Sequence, residues 1–450
     1  MRTIFLLFTA LILAACEPTQ TPTQAPTEIE PVSMNRFSGA PSRISLTRSN
    51  TDIAREFLDY HFELESGRKI PVFSRFEGTI SVSFSSQPNA VASADLNALV
   101  ARLRNEARVP IVVAAPGSKS NIVINRISRK QLNSIVRGAA CFVVPNVQSY
   151  ENLRRGTLKL IDWAQLSQRT RAGVFIPNDI SPQELRDCLH EEIAQALGPL
   201  NDLYRVAETI FNDDNMHRVL TSYDMAILRT TYSPSLRSGM SRAEVAARLP
   251  SILAFTNPSS VGQATRNEPK SAKEWKSSID RGIFSAGGNR TALNRAISIA
   301  EKQNYGPPRI ALGYFSRGYV NAGNNRDAAI SDFTRAYQLY SSRLGSSSIQ
   351  AARTSVQLAS VAISAGELTQ ADRLLDRAIS SARNHQDASL LFNLLGLKAV
   401  AAAARGNRAE SQRLVEQSKS WAAYAIGTGR EYSNYYLSLD KRIRQVQGQS

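Results

Sequence analysis

The stretch Ile180-Ser181-Pro182-Gln183-Glu184-Leu185 runs on into Cys188-Leu189-His190-Glu191-Glu192-Ile193-Ala194-Gln195-Ala196-Leu197-Gly198-Pro199-Leu200-Asn201-Asp202. Its opening residues read as a helix start: Ser181 caps, Pro182 suits the first helical position, and Glu184 closes a capping box. Leu185, Leu189, Ile193 and Leu197 recur every four residues and make one apolar face. Gly198-Pro199 ends the helix. The polar residues on it and just past it are the candidate site: His190, Glu191, Glu192, Gln195, Asn201 and Asp202.

His190-Glu191 opens the zinc-protease pattern H-E-x-x-H, but the second ligand position is Ala194, which has no donor. One residue on, Glu191-Glu192-x-x-Gln195-x-x-Gly198-x-x-Asn201-Asp202 resembles the long metzincin motif H-E-x-x-H-x-x-G-x-x-H. The resemblance keeps the catalytic glutamate position as Glu192 and the turning glycine as Gly198. It replaces the three histidines by Glu191, Gln195 and Asn201. Leu220 to Tyr232 resembles the helix after the active site in matrix-metalloprotease-like metzincins, and Gly239-Met240 stands where a Met-turn would be. The segment from Glu151 to Arg248 is more closely similar to a bacterial family of unknown function, the domain of unknown function 2927. The features that carry this are Cys188, the Glu-Glu-x-x-Gln-Ala-Leu-Gly run, Asn201-Asp202, Ile210 to Asp214, Leu228-Arg229, and Tyr232-Ser233-Pro234 through Gly239-Met240-Ser241.

The motif positions speak against a classical zinc peptidase, because none offers a donor that zinc prefers. The histidines are His61, His190, His217 and His385, in no recognised ligand spacing. Glu191, Glu192, Gln195, Asn201, Asp202, Asp213 and Asp214 form an oxygen-rich set that suits Ca²⁺ or Mg²⁺ rather than zinc. No cofactor is expected. Glu191 and Glu192 could also act as a metal-free acid/base pair on a glycan. Adjacent helix residues diverge by about 100°, so each would need its own partners. A hydrolase of peptide or cell-wall glycan would use Glu192 as its catalytic residue. Against both stands a solvated acidic face with a capping Asn-Asp. The leading expectation is a non-catalytic binding or scaffold protein.

The chain of 450 residues begins with one positive charge and a short apolar core ending in Leu13-Ala14-Ala15-Cys16. This reads as a signal peptide, too short to span a bilayer permanently. Its end resembles a bacterial lipobox, which implies cleavage before Cys16, lipidation of that residue, and a mature chain of 450 − 15 = 435 residues. The expected place is the bacterial envelope, lipid-anchored and facing the periplasm. Glu17 after the cysteine leans toward the outer rather than the inner membrane. Residues 16–42, rich in Thr, Pro and Gln, read as a tether. The net charge of +16 favours anionic partners such as envelope polymers, or describes a solvated basic surface. No run of Lys and Arg interleaved with aromatics marks a nucleic-acid face.

Residues 43–249 read as an α+β metzincin-like domain. Helices are expected at Thr51–His61 and Ser93–Ala107. Strands are expected at Ile70–Phe76, Thr79–Phe84, Ile111–Ala114, Asn121–Ile124, Ala140–Val144 and Gly173–Ile176. With Cys16 set aside, Cys141 and Cys188 are an even pair in an oxidising compartment. A disulfide between them would brace the site helix by about 2–4 kcal/mol. Residues 250–273 read as a linker and 431–450 as a tail. Between them, 274–430 are helical and repetitive. Gly366, Ala371, Leu375 and Ala378 have tetratricopeptide offsets, Arg405 to Glu410 recurs later, and Ala322 to Ala336 is an earlier copy. The array resembles tetratricopeptide repeats, which implies an all-α surface for a protein or peptide partner. The other reading is a helical cap that only packs on the first domain.

Overall fold

A computed structural model describes residues 34–43, 46–156, 161–285 and 287–448. Cys16 and residues 17–33 of the expected tether lie outside them. The described chain divides into two compact units, one built mainly from Phe37–Lys270 and one from Ser271 onward. Among the described residues no helix is long and apolar enough to cross a membrane.

The first unit is α+β. Helix α1 (Asn50–Phe62) precedes strand β1 (Ile80–Phe84), helix α2 (Ala90–Ala107), β2 (Ile111–Val113), β3 (Ile122–Ile127), α3 (Arg129–Ile135), β4 (Phe142–Pro145), α4 (Tyr150–Arg155) and β5 (Ala172–Pro177). Then come α5 (Pro182–Leu197), α6 (Ser222–Thr231) and α7 (Arg242–Thr256). The strands form one sheet in the order β2-β1-β3-β5-β4. All neighbours are parallel except the edge strand β4, which runs antiparallel to β5 with Phe142 opposite Phe175. Side chains alternate across the sheet as the pleat requires. Val174 and Ile176 enter the large core with α1, α2, α5 and α6, while Phe175 enters a smaller core with Leu132, Phe142 and Leu153. A sheet, a long helix after β1 and then the site helix is the order that the metzincin resemblance implies.

The expected strand Ile70–Phe76 is not part of the sheet. It makes an isolated bridge at Phe76, and Phe73 exchanges hydrogen bonds with the turn at Gly239 and Met240 (2.9 and 2.8 Å). Its alternation has the right period, but its backbone pairs with that turn. The expected linker from Pro250 also differs. Helix α7 continues through Pro250 to Thr256, and the polar residues beyond it serve α1. Asn257 Nδ2 donates to Asn50 Oδ1 at 3.0 Å, and the Arg266 amide donates to Asp52 Oδ2 at 2.7 Å. The polar residues read as a linker from composition alone, and in the fold they bond to side chains in the first turn of α1.

The second unit is all-α: α8 (Lys273–Phe284), α9 (Arg290–Lys302), α10 (Pro307–Ala322), α11 (Arg326–Leu344), α12 (Ile349–Ser364), α13 (Leu368–Asn384), α14 (Ala388–Ala404), α15 (Arg408–Ile426) and α16 (Arg430–Gln447). Three-residue links join α10 to α11, α12 to α13, and α14 to α15. Gly366 and Gly406 take φ of 76° and 77° at equivalent places in two of these links, a left-handed conformation that favours glycine. Helices α10, α12 and α14 start 349 − 307 = 42 and 388 − 349 = 39 residues apart, longer than the ~34 of a standard tetratricopeptide repeat. Ala371, Leu375 and Ala378 are buried, as the repeat pattern requires. Most of the expected tail at 431–450 is helix α16, which ends at Gln447.

Candidate functional site

Helix α5 starts on the capping box: Glu184 N donates to Ser181 Oγ (3.2 Å) and Ser181 N to Glu184 Oε2 (2.8 Å), with Pro182 in the first turn. Its C-terminus is closed from a distance. The buried Arg169 guanidinium donates to the carbonyls of Gln195 (2.7 Å), Ala196 (2.8 Å) and Gly198 (2.7 Å), and stacks on Trp163 with its centre 4.8 Å from the ring. Burial pulls this guanidinium down to about 10, so it remains a cation at neutral pH. A side chain on Gly198 would meet His61 Nε2 at 2.9 Å and Thr231 Cγ2 at 3.0 Å, so the close approach requires glycine. The chain then turns back, with Leu200 N donating to the Tyr60 carbonyl at 2.8 Å.

A disulfide joins Cys141, just before β4, to Cys188 on α5, with their Cα atoms 6.0 Å apart. Beside it opens a cleft with Asp187 and Glu191 on the α5 side and Asn215, His217 and Arg218 also lining it. Asp187 pairs with Arg218 at 3.3 Å. Glu191 is half-buried, and burial, with Glu65, Asp213 and Asp187 near it, pushes its carboxyl up to about 8 against the opposing pull of Arg218. Asp202 is 6% exposed and shares a hydrogen bond with Glu65, while its Oδ1 has no partner. Burial and the carboxylates of Glu65, Asp213 and Glu191 raise Asp202 well above the usual range. Glu192 is fully buried, neither of its carboxyl oxygens has a partner, and burial with Glu191 and Glu65 nearby raises it strongly as well. A buried carboxyl without a partner avoids the large cost of ionisation by staying protonated.

The other expected site residues serve the scaffold. Asn201 Nδ2 donates to the Asp59 carbonyl at 3.1 Å. His190 is buried and neutral, held well below its usual pKa by burial with Arg186 and Arg102 nearby, and its Nδ1 accepts from Leu220 N at 3.1 Å. Gln195 is buried, and Met240 lies in the main core. His61 Nδ1–H donates to Phe57 O at 2.9 Å and His217 Nε2–H to Ala207 O at 3.1 Å. Among the described residues no three His, Cys, Asp or Glu side chains stand together as a metal-holding group. The zinc that the metzincin resemblance implies does not fit this donor set. Its ligand positions carry Glu191, Gln195 and Asn201, and the Asn201 amide is committed to α1.

Sequence reasoning missed Glu65, Asp187, Arg218 and Arg169. Asp187 stands four residues before Glu191, on the same helical face, and that spacing could have found it. Glu65 sits in a polar turn with no local signal.

Residues 50–251 match the model of a family described as a protein of unknown function, DUF2927. No curated protein and no solved structure matches the chain.

Proposed function

We propose that this chain, whose residues 50–251 are a DUF2927 domain, is a lipid-anchored envelope protein that binds partners without catalysis. In this reading Cys16 carries the anchor, the Thr/Pro/Gln-rich segment spaces the folded part from the membrane, and the helical array takes a protein or peptide. The observation that carries the non-catalytic reading is Asn201. The residue at the third ligand position of the motif turns its amide onto the Asp59 carbonyl instead of into a cleft. His190 is likewise held by the Leu220 amide.

A second reading is favoured by one specific feature. Glu192 and Asp202 keep buried carboxyl oxygens without partners, beside Glu65 and Glu191. An acid/base hydrolase of peptide or glycan would use a carboxyl kept protonated in this way as its proton donor. A hard divalent cation would need these oxygens to draw closer, because among the described residues no three such side chains stand together as a metal-holding group.

The test is Glu192→Gln, which keeps shape and removes the acid. The variant is returned to a host lacking the gene, and its melting curve is recorded with and without EDTA. A binding protein keeps its melting curve and restores the host. A folded variant that fails to restore the host overturns the non-catalytic reading. A melting temperature of the native chain that falls with EDTA directs attention to a cation.

A further inference from the structure

Helix α14 is apolar over most of its surface, with 13 of its 17 residues buried. A helix of that kind must be covered on most sides. Helices α12, α15 and α16 all pack on it. The covering side of α16 is a stripe at helical spacing: Tyr432, Tyr435, Tyr436, Leu439 and Arg442. Tyr435 sits edge-on to Phe392 of α14 at 4.9 Å between ring centres. Its hydroxyl occupies the space over Gly396, where a Cβ would meet it at 2.3 Å. The Tyr436 hydroxyl lies 2.7 Å from Ser418 Oγ on α15. Arg442 Nη2 donates to Ser360 Oγ on α12 at 2.8 Å. Helix α16 therefore crosses α14 and reaches α12, the first helix of the preceding hairpin. A cap stacked on the end of the array would touch only the last hairpin.

The attachment is light for a core helix. Only Tyr432 and Leu439 of its 18 residues are buried, against ten of 16 in α12. It joins α15 through Gly427-Thr428-Gly429, with Gly427 at φ 72°. Two glycines in three residues make a link that can swing.

We propose that the face formed by α12 and α14 is the partner site of the array, and that α16 is a hinged latch occupying it. The partner it fits is an amphipathic helix with aromatic residues at i, i+3 and i+4, leucine at i+7 and a basic residue at i+10. This rests on reading the repeats as a partner-binding array. A bound partner helix replaces α16 residue for residue, and the released α16 swings out on its glycines.

The test uses the full chain and a fluorescein-labelled peptide of residues 429–447. The double substitution Tyr435→Ala and Leu439→Ala weakens the latch and leaves the α12–α14 face intact. The peptide is expected to bind this variant at least tenfold more tightly than the native chain. Adding Gly396→Leu fills the tyrosine niche and is expected to abolish binding. Hydrogen exchange should show α16 opening in the double variant while α12 to α15 stay protected. Equal binding to the native chain and the double variant overturns the proposal, as does no binding to either. Failure of the double variant to fold, or faster exchange across α12 to α15, also overturns it, because α16 is then part of the core. None of these outcomes touches Glu192 or Asn201, so failure here is separate from failure of the first-domain reading.

Discussion

Replacing Arg169 by leucine should cost the first domain about 3–5 kcal/mol, because each buried carbonyl that loses its donor costs about 1–3 kcal/mol. The guanidinium makes three short hydrogen bonds, at 2.7, 2.8 and 2.7 Å, to carbonyls at the end of α5. Hydrogen bonds to a charged group contribute about 1.5–3 kcal/mol each. A cation at a helix C-terminus adds up to ~2 kcal/mol. Two effects work against their full sum. Leucine keeps much of the stem packing, and removing a buried cation relieves its desolvation. Lysine keeps the charge but presents one nitrogen where three carbonyls diverge, so Arg169→Lys should recover less than half of the loss. Urea unfolding followed by circular dichroism gives the free energies, and hydrogen exchange in α5 localises the change. A loss below about 1 kcal/mol for Arg169→Leu would refute the capping argument. Full rescue by lysine would show that charge alone, and not the forked geometry, holds the helix end.

Above pH 6.5 the first domain should lose stability as pH rises. Glu191, Glu192 and Asp202 have raised pKa values, so the native state there binds more protons than the unfolded chain. Each group contributes a slope of up to about 1.4 kcal/mol per pH unit, and Glu191→Gln should flatten the melting-temperature profile between pH 6.5 and 8; an unchanged profile contradicts the burial argument. The neutral histidines His61 (lowered to about 3) and His190 act in the other sense, losing stability as pH falls, but only below about 6.5. Reducing the Cys141–Cys188 bridge, which closes a sequence separation of 47 residues, should cost about 2–4 kcal/mol. Cys141→Ser should reproduce the shift in melting temperature and make it insensitive to dithiothreitol. Gly198→Ala should cost about 1–3 kcal/mol through contact with His61 and Thr231, and an unchanged melting temperature would show that this packing relaxes freely.

The parts of the fold that were legible are those set by nearby residues. The start of α5 follows from Ser181, Pro182 and Glu184, all within four positions. Its apolar face follows from a four-residue spacing. The repeat turns follow from Gly366 and Gly406, which recur 40 residues apart, each just after an alanine-rich helix end. What stayed hidden depends on contacts far along the chain. Ile70 to Phe76 alternates like a strand, but its backbone finds Met240 before it finds the sheet. Glu65 joins Asp202 across more than a hundred residues, and nothing in its own turn announces this. The motif frame put Glu191 and Glu192 on α5 and could not say which way each one faces. Glu191 looks into the cleft beside the disulfide, and Glu192, one position on, is sealed in the protein.

The same division explains part of the basic excess. Arg169 is not alone in closing helix ends from a distance. Arg75 donates to the carbonyls of Thr231 and Ser233 at the end of α6 (2.8 and 3.0 Å). Arg229 donates to Glu106 near the end of α2 (2.9 Å) and to Thr256 at the end of α7 (2.8 Å). Helix ends leave carbonyls that need donors, and glycine or a left-handed residue supplies only a backbone amide. A forked guanidinium supplies several donors at once and favours the negative end of the helix dipole. Arg75 and Arg169, both buried, count toward the net charge of +16 but present little of that charge at the surface. Removing Arg75 or Arg169 should therefore unsettle the fold without changing the salt dependence of whatever binding to an anionic polymer is measured.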